Sequence, residues 1–167
     1  ETYTDSQGVK RLLSRIPPPN ENYLAEKLGL KSLKSAGLIV PRSEWKEINR
    51  RPLQPAAEWI LNQASSNAGV GHGAAGAFRV ARFDGGMFER KLSPMCVYAQ
   101  INGGVDQGAM VGDSLIALQR NGTVLYDTFK YPNRYLNQLP SDWKNEASRF
   151  KVERAYTTRS FDEQVSA

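Results

Sequence analysis

The sequence feature that most constrains the fold is a segment rich in glycine and alanine near the middle of the chain. It reads GVGHGAAGAFRVARF over residues 69–83 and has four glycines in its first eight residues. Each glycine in an exposed helix costs about 1 kcal/mol relative to alanine, which argues against a solvated helix. Small residues do allow close packing in a core, and the apolar positions fall at helical spacing: Val70, Ala74, Ala77 and Phe78. The segment therefore predicts a buried central helix from Gly69 to about Phe83, crowded by its neighbours.

Two further helices are predicted from the residues at their boundaries. In Leu92-Ser93-Pro94 the serine is a good N-cap and the proline suits the first helical position, so a helix should begin there. Another helix should run over residues 113–120 and end at Gly122. Its apolar face is predicted to carry Val111, Leu115 and Leu118. The Asn102-Gly103-Gly104 tripeptide predicts a loop between these two helices.

Strands are predicted only in the later part of the chain. Residues 124–129 and residues 150–157 have the apolar or alternating pattern typical of strands. Near the start of the chain, Asn20 can cap a short helix over residues 20–30, after a run of three prolines. We interpret residues 1–40 as an N-terminal extension or arm that precedes the domain.

Composition narrows the classes of function. A chain of 167 residues is long enough for one domain with a core, and no apolar run approaches the roughly 18 residues of a membrane span. The formal net charge is +5, but the basic residues are scattered and not concentrated in a stripe, which argues against nucleic acid as a partner. A basic structural protein that binds nucleic acid is the weakest of three hypotheses, and strong salt dependence of binding would support it.

The motifs, in their order along the chain, resemble papain-like cysteine peptidases. In that family a glutamine contributes to the oxyanion hole and the nucleophilic cysteine follows six residues later, at the start of a buried central helix. Here Gln63 is followed six residues later by Gly69. Leu92-Ser93-Pro94 resembles the family's leucine–serine motif, and Asn102, Gly103 and Gly104 resemble the loop that binds the substrate backbone. Residues 106–132 are similar to bacterial and viral members.

This resemblance implies an α+β fold: a papain-like domain over residues 41–167. Its helical half would occupy residues 41–135 and contain a buried central helix, and the start of the β-rich half would follow. It implies that Gln63, Gly69, Gly103 and Gly104 line one groove, which would accept a peptide or protein substrate. No cofactor and no metal is implied. Ser160 and Glu163 form a capping-box pattern for a helix, after which the family has its β-rich half. We therefore expect the domain to be incomplete, with a C-terminal segment or a partner chain completing it.

The departures from the family pattern decide the expected activity. A cysteine peptidase needs a thiolate and an imidazole within hydrogen-bond reach, and Gly69 stands where the nucleophile should be. His72 is the only histidine and lies three residues after Gly69 on the same predicted helix, where a packing or capping role is expected. Cys96 is the only cysteine and is expected to be a buried structural thiol. The family's catalytic histidine and asparagine would lie further along.

Two interpretations of function remain open beside the nucleic-acid hypothesis. The first is a papain-like cysteine peptidase domain in an inactive form, and the second is a non-catalytic papain-fold module that binds peptides or has a structural role, for example in a virion. Positions that carry disulfides in the family's secreted members correspond to Ser66, Gln100 and Ile101. Their lack of cysteine predicts a cytoplasmic or virion-associated protein.

Overall fold

The computed structural model describes residues 2–4, 10–12, 15–16, 29–48, 61–84, 91–156, 158 and 160. Its elements, in chain order, are β1 (Thr2–Thr4), β2 (Lys10–Leu12), β3 (Arg15–Ile16), α1 (Trp45–Ile48), α2 (Gly69–Asp84), α3 (Pro94–Ile101), β4 (Ala109–Met110), α4 (Val111–Arg120) and α5 (Trp143–Ala147). Short 3-10 turns occupy Arg42–Glu44 and Leu136–Gln138. None of the described helices has both the length and the apolar character that a membrane span requires.

Helix α3 is the centre of the core. Its residues from Pro94 to Ala99 are all buried, and Ser93 caps it by accepting a hydrogen bond from the Cys96 amide at 2.9 Å. The Ser93 hydroxyl also donates to the Phe129 carbonyl, while the Thr123 hydroxyl donates to the Ser93 carbonyl at 2.8 Å. The helix start predicted from Leu92-Ser93-Pro94 is confirmed, and the cap fastens it to the chain that follows α4.

Helix α2 packs closely on α3 at one glycine. A methyl group at Gly71 would overlap the Pro94 carbonyl oxygen and lie 2.9 Å from the Tyr98 Cβ. Because those atoms belong to a buried helix and its backbone, they cannot move aside without separating the two helices. Gly71 therefore sets the distance between α2 and α3.

We expect Gly71→Ala to lower the free energy of unfolding by about 2 kcal/mol, because overpacking a close helix contact forces the backbones apart. The matched variant is Gly73→Ala on the exposed side of α2, where an added methyl group meets nothing within 4 Å. That change should stabilise the helix by up to about 1 kcal/mol. Urea denaturation of both variants measures the two effects, and equal destabilisation would contradict the packing explanation.

The prediction for α2 is confirmed in its bounds and only partly in its burial. The helix runs from Gly69 to Asp84, one residue beyond the expected end. Val70, Gly71 and Ala75 are buried, but Gly73, Ala77 and Ala81 are exposed. The expected all-round burial is therefore wrong for one face, since α3 covers only the opposite side of the helix.

Helix α4 and its stop follow the prediction. The helix spans Val111–Arg120, and the Gly122 amide donates to the Ala117 carbonyl at 3.1 Å in a left-handed conformation with φ of 83°. Burial of its apolar face decreases toward the start of the helix: Leu118 is buried, Leu115 is half-buried and Val111 is 50% exposed. The exposure of Val111 shows that this face is not fully covered by the core.

The prediction of strands over residues 124–129 and 150–157 is wrong within the described residues. Leu125 forms only an isolated antiparallel bridge with Leu92, and its amide donates to the Glu146 carboxylate at 2.8 Å, after which the chain turns. In the later segment the Val152 amide donates to the Leu118 carbonyl at 3.2 Å, and residues 151–156 form no strand. Among the described residues, backbone pairing of residues 124–129 with another segment is limited to the Val124 carbonyl and the Tyr126 amide, which bond to the backbone of Ser93 and Lys91. The Leu125 amide bonds instead to a side chain, and the Val152 amide bonds to the end of α4.

The described strands are short and lie elsewhere. Strands β1 and β2 pair antiparallel, with Thr2 opposite Leu12, and β3 pairs parallel with β4, with Arg15 opposite Ala109. The start of the β-rich half expected after α4 is not seen as strands in the described part of the chain. The helix predicted over residues 20–30 lies almost entirely outside the described residues, as does the helix expected after Ser160.

Candidate active site

The loop before α2 is held by its own polar groups. The Ser66 amide and hydroxyl both donate to the Gln63 carbonyl, at 3.2 and 2.6 Å, and the Ala64 amide donates to the Asn62 side chain at 2.8 Å. Gln63 is half-buried. This turn leads to Gly69, the first residue of α2. The first backbone amides of a helix have no hydrogen-bond partner within the helix.

The glycine loop after α3 adopts a conformation that suits glycine. Asn102 ends α3 and is buried, whereas Gly103 and Gly104 are exposed and have φ of 64° and 82°. The Asn102 side chain accepts a hydrogen bond from the Gly104 amide at 2.9 Å and donates to the Arg134 carbonyl at 2.7 Å. Asn102 therefore has a structural role that fixes the loop, and the two glycines present bare backbone to solvent.

Asp106 joins these two loops. The Asn67 amide donates to one Asp106 carboxylate oxygen at 2.9 Å, and the Asn67 side chain donates to the Asp106 backbone carbonyl at 2.7 Å. Asn67 lies two residues before Gly69, and Asp106 lies two residues after Gly104. The structure thus brings the segment around Gly69 beside the segment that contains Gly103 and Gly104.

A third segment, residues 131–135, completes what we call the three-loop cluster: residues 61–68, 102–108 and 131–135 around Asp106. The Arg134 guanidinium forms an ion pair with the Asp106 carboxylate and lies 5.6 Å from the centre of the Tyr131 ring. The Tyr131 and Ser65 hydroxyls are hydrogen-bonded at 2.9 Å. The cluster is therefore tied together through side chains from all three segments.

The electrostatics of the cluster centre on one carboxylate. Burial by itself would raise the pKa of Asp106, but hydrogen bonds from Asn67, Tyr98 and Arg134 outweigh it and hold this pKa below its usual value. The Tyr98 hydroxyl donates to Asp106 at 2.8 Å, and burial together with this neighbouring carboxylate raises the pKa of Tyr98 to about 12. Asp106 is therefore ionised at neutral pH and Tyr98 keeps its proton.

His72 is engaged with the start of its own helix. Its ring Nδ1 lies 3.0 Å from the Ala68 carbonyl oxygen, as expected for a capping residue. Burial lowers the pKa of His72, and hydrogen bonds with the backbone of Ala68 and Asn62 oppose this shift without reversing it. The imidazole is therefore uncharged at neutral pH, and one of its two nitrogens is already occupied.

Cys96 is the buried structural thiol that the sequence predicted. Its residue is 0% exposed, and burial raises the pKa of the thiol above its usual value. Gln100 donates to the Cys96 carbonyl at 3.2 Å and to the Gly122 carbonyl at 3.0 Å, which joins α3 to the end of α4. A thiol in this position is poorly suited to act as a nucleophile.

Sequence reasoning named the glycines and the glutamine but missed the residues that hold them. Asn67, Tyr98, Asp106 and Arg134 carry no motif of their own, and Arg134 is 28 residues from the aspartate it contacts. The only local signal was an acidic residue just after the Asn-Gly-Gly tripeptide. Whether Gln63, Gly69, Gly103 and Gly104 line one groove stays a prediction, because the hydrogen bonds between the two loops join their neighbours and not these residues themselves.

The candidate site combines hydrogen-bond donors with exposed backbone. The Gln63 residue is half-buried, the first amides of α2 have no partner within the helix, and Gly103 and Gly104 are exposed. Position 69 supplies no nucleophilic side chain. No group of three or more His, Cys, Asp or Glu side chains within the described residues could hold a metal ion.

No protein-family model matches the sequence, and no curated protein is significantly similar to it. Among solved structures, the fold is similar to that of xylellain, a cysteine protease from Xylella fastidiosa, with a TM-score of 0.65 and 16% sequence identity. The match covers 92% of this chain and 61% of xylellain, so the chain spans less than two thirds of that protein. The chain therefore has a fold similar to that of a cysteine protease, in agreement with the fold that the motifs implied.

Proposed function

We propose that this chain is the helical part of a papain-like cysteine peptidase domain in a catalytically inactive form. The observation that carries the proposal is a fold similar to that of a cysteine protease. It is combined with glycine at position 69, which the order of the motifs matches to the family's nucleophile. Asp106 and Asn67 support the proposed site, because they hold the loop before Gly69 beside the Gly103–Gly104 loop. A peptide or protein is the proposed substrate class.

In this proposal the residues have distinct roles. Gln63 would donate its amide to the developing oxyanion, and Gly103 and Gly104 would leave room for a substrate backbone to pair with theirs. Gly69 occupies the nucleophile position and cannot attack a carbonyl. The imidazole that would take a proton from a thiol must come from a further segment or a partner chain, because His72 is the chain's only histidine.

A non-catalytic papain-fold module is the second candidate. It is favoured by the state of His72, whose ring bonds to the Ala68 carbonyl and whose pKa is lowered by burial. Such a module would keep the groove and bind peptides, or serve a structural role, without cleaving them. The two candidates differ in whether peptide hydrolysis is recovered when a cysteine at position 69 and the family's histidine and asparagine are supplied.

The first test is Gly69→Cys in the 167-residue chain, assayed with pooled fluorogenic peptides under reducing conditions. We expect no turnover above background, a deficit of at least about 100-fold relative to an enzyme with a positioned general base. Reaction of the new thiol with iodoacetamide can be followed separately, because Cys96 is completely buried and should stay unmodified in the folded protein. Full activity from this change alone would mean that His72 or some other group of this chain is the base, and that the proposed need for an imidazole from a further segment is wrong.

The second test adds the general base. Gly69→Cys is combined with a co-expressed segment that supplies the family's catalytic histidine and asparagine, and the same assay is repeated. Thiol-dependent hydrolysis that iodoacetamide blocks would support the inactive-peptidase proposal. Peptide binding without hydrolysis in the combined protein would favour the non-catalytic module.

A further inference from the structure

In the part of the chain that the structure describes, a large open groove lies on the side of α2 that α3 does not cover. It has a volume of about 850 Å³ and is bounded by α2, α4 and residues 148–154. Its apolar lining includes Ala77, Phe78 and Ala81 from α2 and Val111, Leu115 and Leu118 from α4. None of the proposed site residues is among those that line it, so this groove is separate from the site at the start of α2.

The apolar lining has the layout of a helix-binding surface. On α2 the lining residues fall at positions 74, 77, 78 and 81, and on α4 they fall at positions 111, 115 and 118. Each set repeats every three or four residues and so forms one stripe along its helix. Two such stripes facing one groove can receive the apolar face of a third helix.

Charge is distributed unevenly around this lining. The residues that border the groove include four basic side chains and one acidic side chain, Arg82, Arg149, Lys151, Arg154 and Glu153. Arg82 is fixed at one end, where its guanidinium lies 5.7 Å from the centre of the Phe78 ring and 5.4 Å from that of Phe150. The other three basic residues are exposed. The border therefore carries a net positive charge over an apolar floor.

We propose that this groove binds an amphipathic helix of a partner protein, with aliphatic residues on one face and Asp or Glu along its flanks. The aliphatic face would cover Val111 and Leu115, and the acidic flanks would lie against Arg149, Lys151 and Arg154. A small ligand fits less well, because ligand pockets enclose most of their ligand and here Ala77, Ala81 and Val111 are open to solvent. This inference does not depend on the proposed peptidase function.

The experiment uses three fluorescein-labelled peptides of about 18 residues, long enough to form a helix and designed with the same leucine face. One has Glu on its flanks, one has Lys in the same positions, and one has the acidic composition in scrambled order. Fluorescence anisotropy at low and moderate salt measures binding to the 167-residue chain. The acidic helix should bind at least about tenfold more tightly than the other two and should weaken as salt rises.

Two variants locate the binding. Ala77→Glu places a charge on the exposed lining and should weaken binding of the acidic helix at least about tenfold, and Arg149→Glu with Arg154→Glu should reverse the preference toward the Lys peptide. The control for net charge is Lys31→Glu with Lys46→Glu, two exposed residues that do not line the groove and should leave the preference unchanged. Circular dichroism checks that each variant is folded.

Each other outcome overturns the proposal. Equal binding of the acidic and scrambled peptides would show attraction by charge alone, and loss of preference in the Lys31/Lys46 control would show the same. Binding that Ala77→Glu leaves intact would place the helix elsewhere. Laurate, a small anionic amphiphile, is tested as an alternative ligand. If it binds one to one through Arg149 and Arg154 while no peptide binds, the groove is a site for anionic amphiphiles and the proposal is wrong. Absence of binding by every peptide would also reject the helix.

Discussion

Gly122→Ala is expected to lower the free energy of unfolding by about 3 kcal/mol or more. The left-handed φ of 83° costs a side chain about 1 kcal/mol. In addition, a methyl group there would overlap the Ala147 carbonyl oxygen and lie 2.6 Å from the Phe150 carbonyl oxygen. Both are backbone atoms of the segment that packs on the end of α4, so relief requires that segment to move.

Gly104→Ala is the control that separates the two causes. Gly104 has a φ of 82°, almost the same as Gly122, but an added methyl group meets nothing within 4 Å. The Gly104→Ala variant should therefore lose only about 1 kcal/mol of the free energy of unfolding, the cost of a side chain at this φ. Urea denaturation of both variants gives the difference, and equal losses at the two sites would show that the contact with residues 147 and 150 does not matter.

Asp106→Asn is expected to have an effect of similar size, about 2 to 3 kcal/mol, because it removes a largely buried charge that several donors share. The side chain is only 15% exposed, and Arg134, Tyr98 and the Asn67 amide all donate to it. An amide in its place would set an N–H group against one of these donors and leave Arg134 without its counter-charge. Urea denaturation at neutral pH measures the loss.

The effect of Asp106→Asn should depend on pH in a defined direction. The pKa of Asp106 is lowered in the folded protein, so the carboxylate contributes stability that is fully present above its unfolded pKa of about 3.9. That contribution is lost as the pH falls through the folded pKa. The difference in stability between the original protein and the variant should therefore be constant from about pH 5 to 7 and shrink below about pH 4.

The matched control is Asp127→Asn. Asp127 is 90% exposed and forms its ion pair with Lys130 at 3.1 Å, so its removal should cost less than about 1 kcal/mol. If Asp106→Asn behaved in the same way as Asp127→Asn, the three-loop cluster would not be held by its central carboxylate.

The sequence was informative where structure depends on neighbouring residues. Ser93 and Pro94 specified the start of α3 through a cap and a fixed φ, and Gly122 specified the end of α4 through its left-handed conformation. The bounds of α2 followed from its spacing. For the candidate site, the order of Gln63, Gly69 and Asn102-Gly103-Gly104 indicated a fold that the likeness to xylellain supports.

The remaining features depend on residues far apart in the sequence. The segment after Thr123 has the composition of a strand. However, the Leu125 amide donates a hydrogen bond to the side chain of Glu146, 21 residues away, and the chain then turns. Asp106 acquires its role only when Asn67 is brought to it across 39 residues. The open face of α2 could not be predicted either, because its small residues suit close packing equally well whether or not a neighbour is present.

The shared carboxylate of Asp106 has a kinetic consequence for any peptide that enters the proposed groove beside Gly69, Gly103 and Gly104. Its contacts join three segments of the chain, and we expect the walls that these segments would form beside Gly69 to be held in place before a ligand arrives. Binding then requires little loss of loop entropy and no closing motion. Association should follow a single exponential phase whose rate rises linearly with peptide concentration, without the plateau that a slow conformational step would impose.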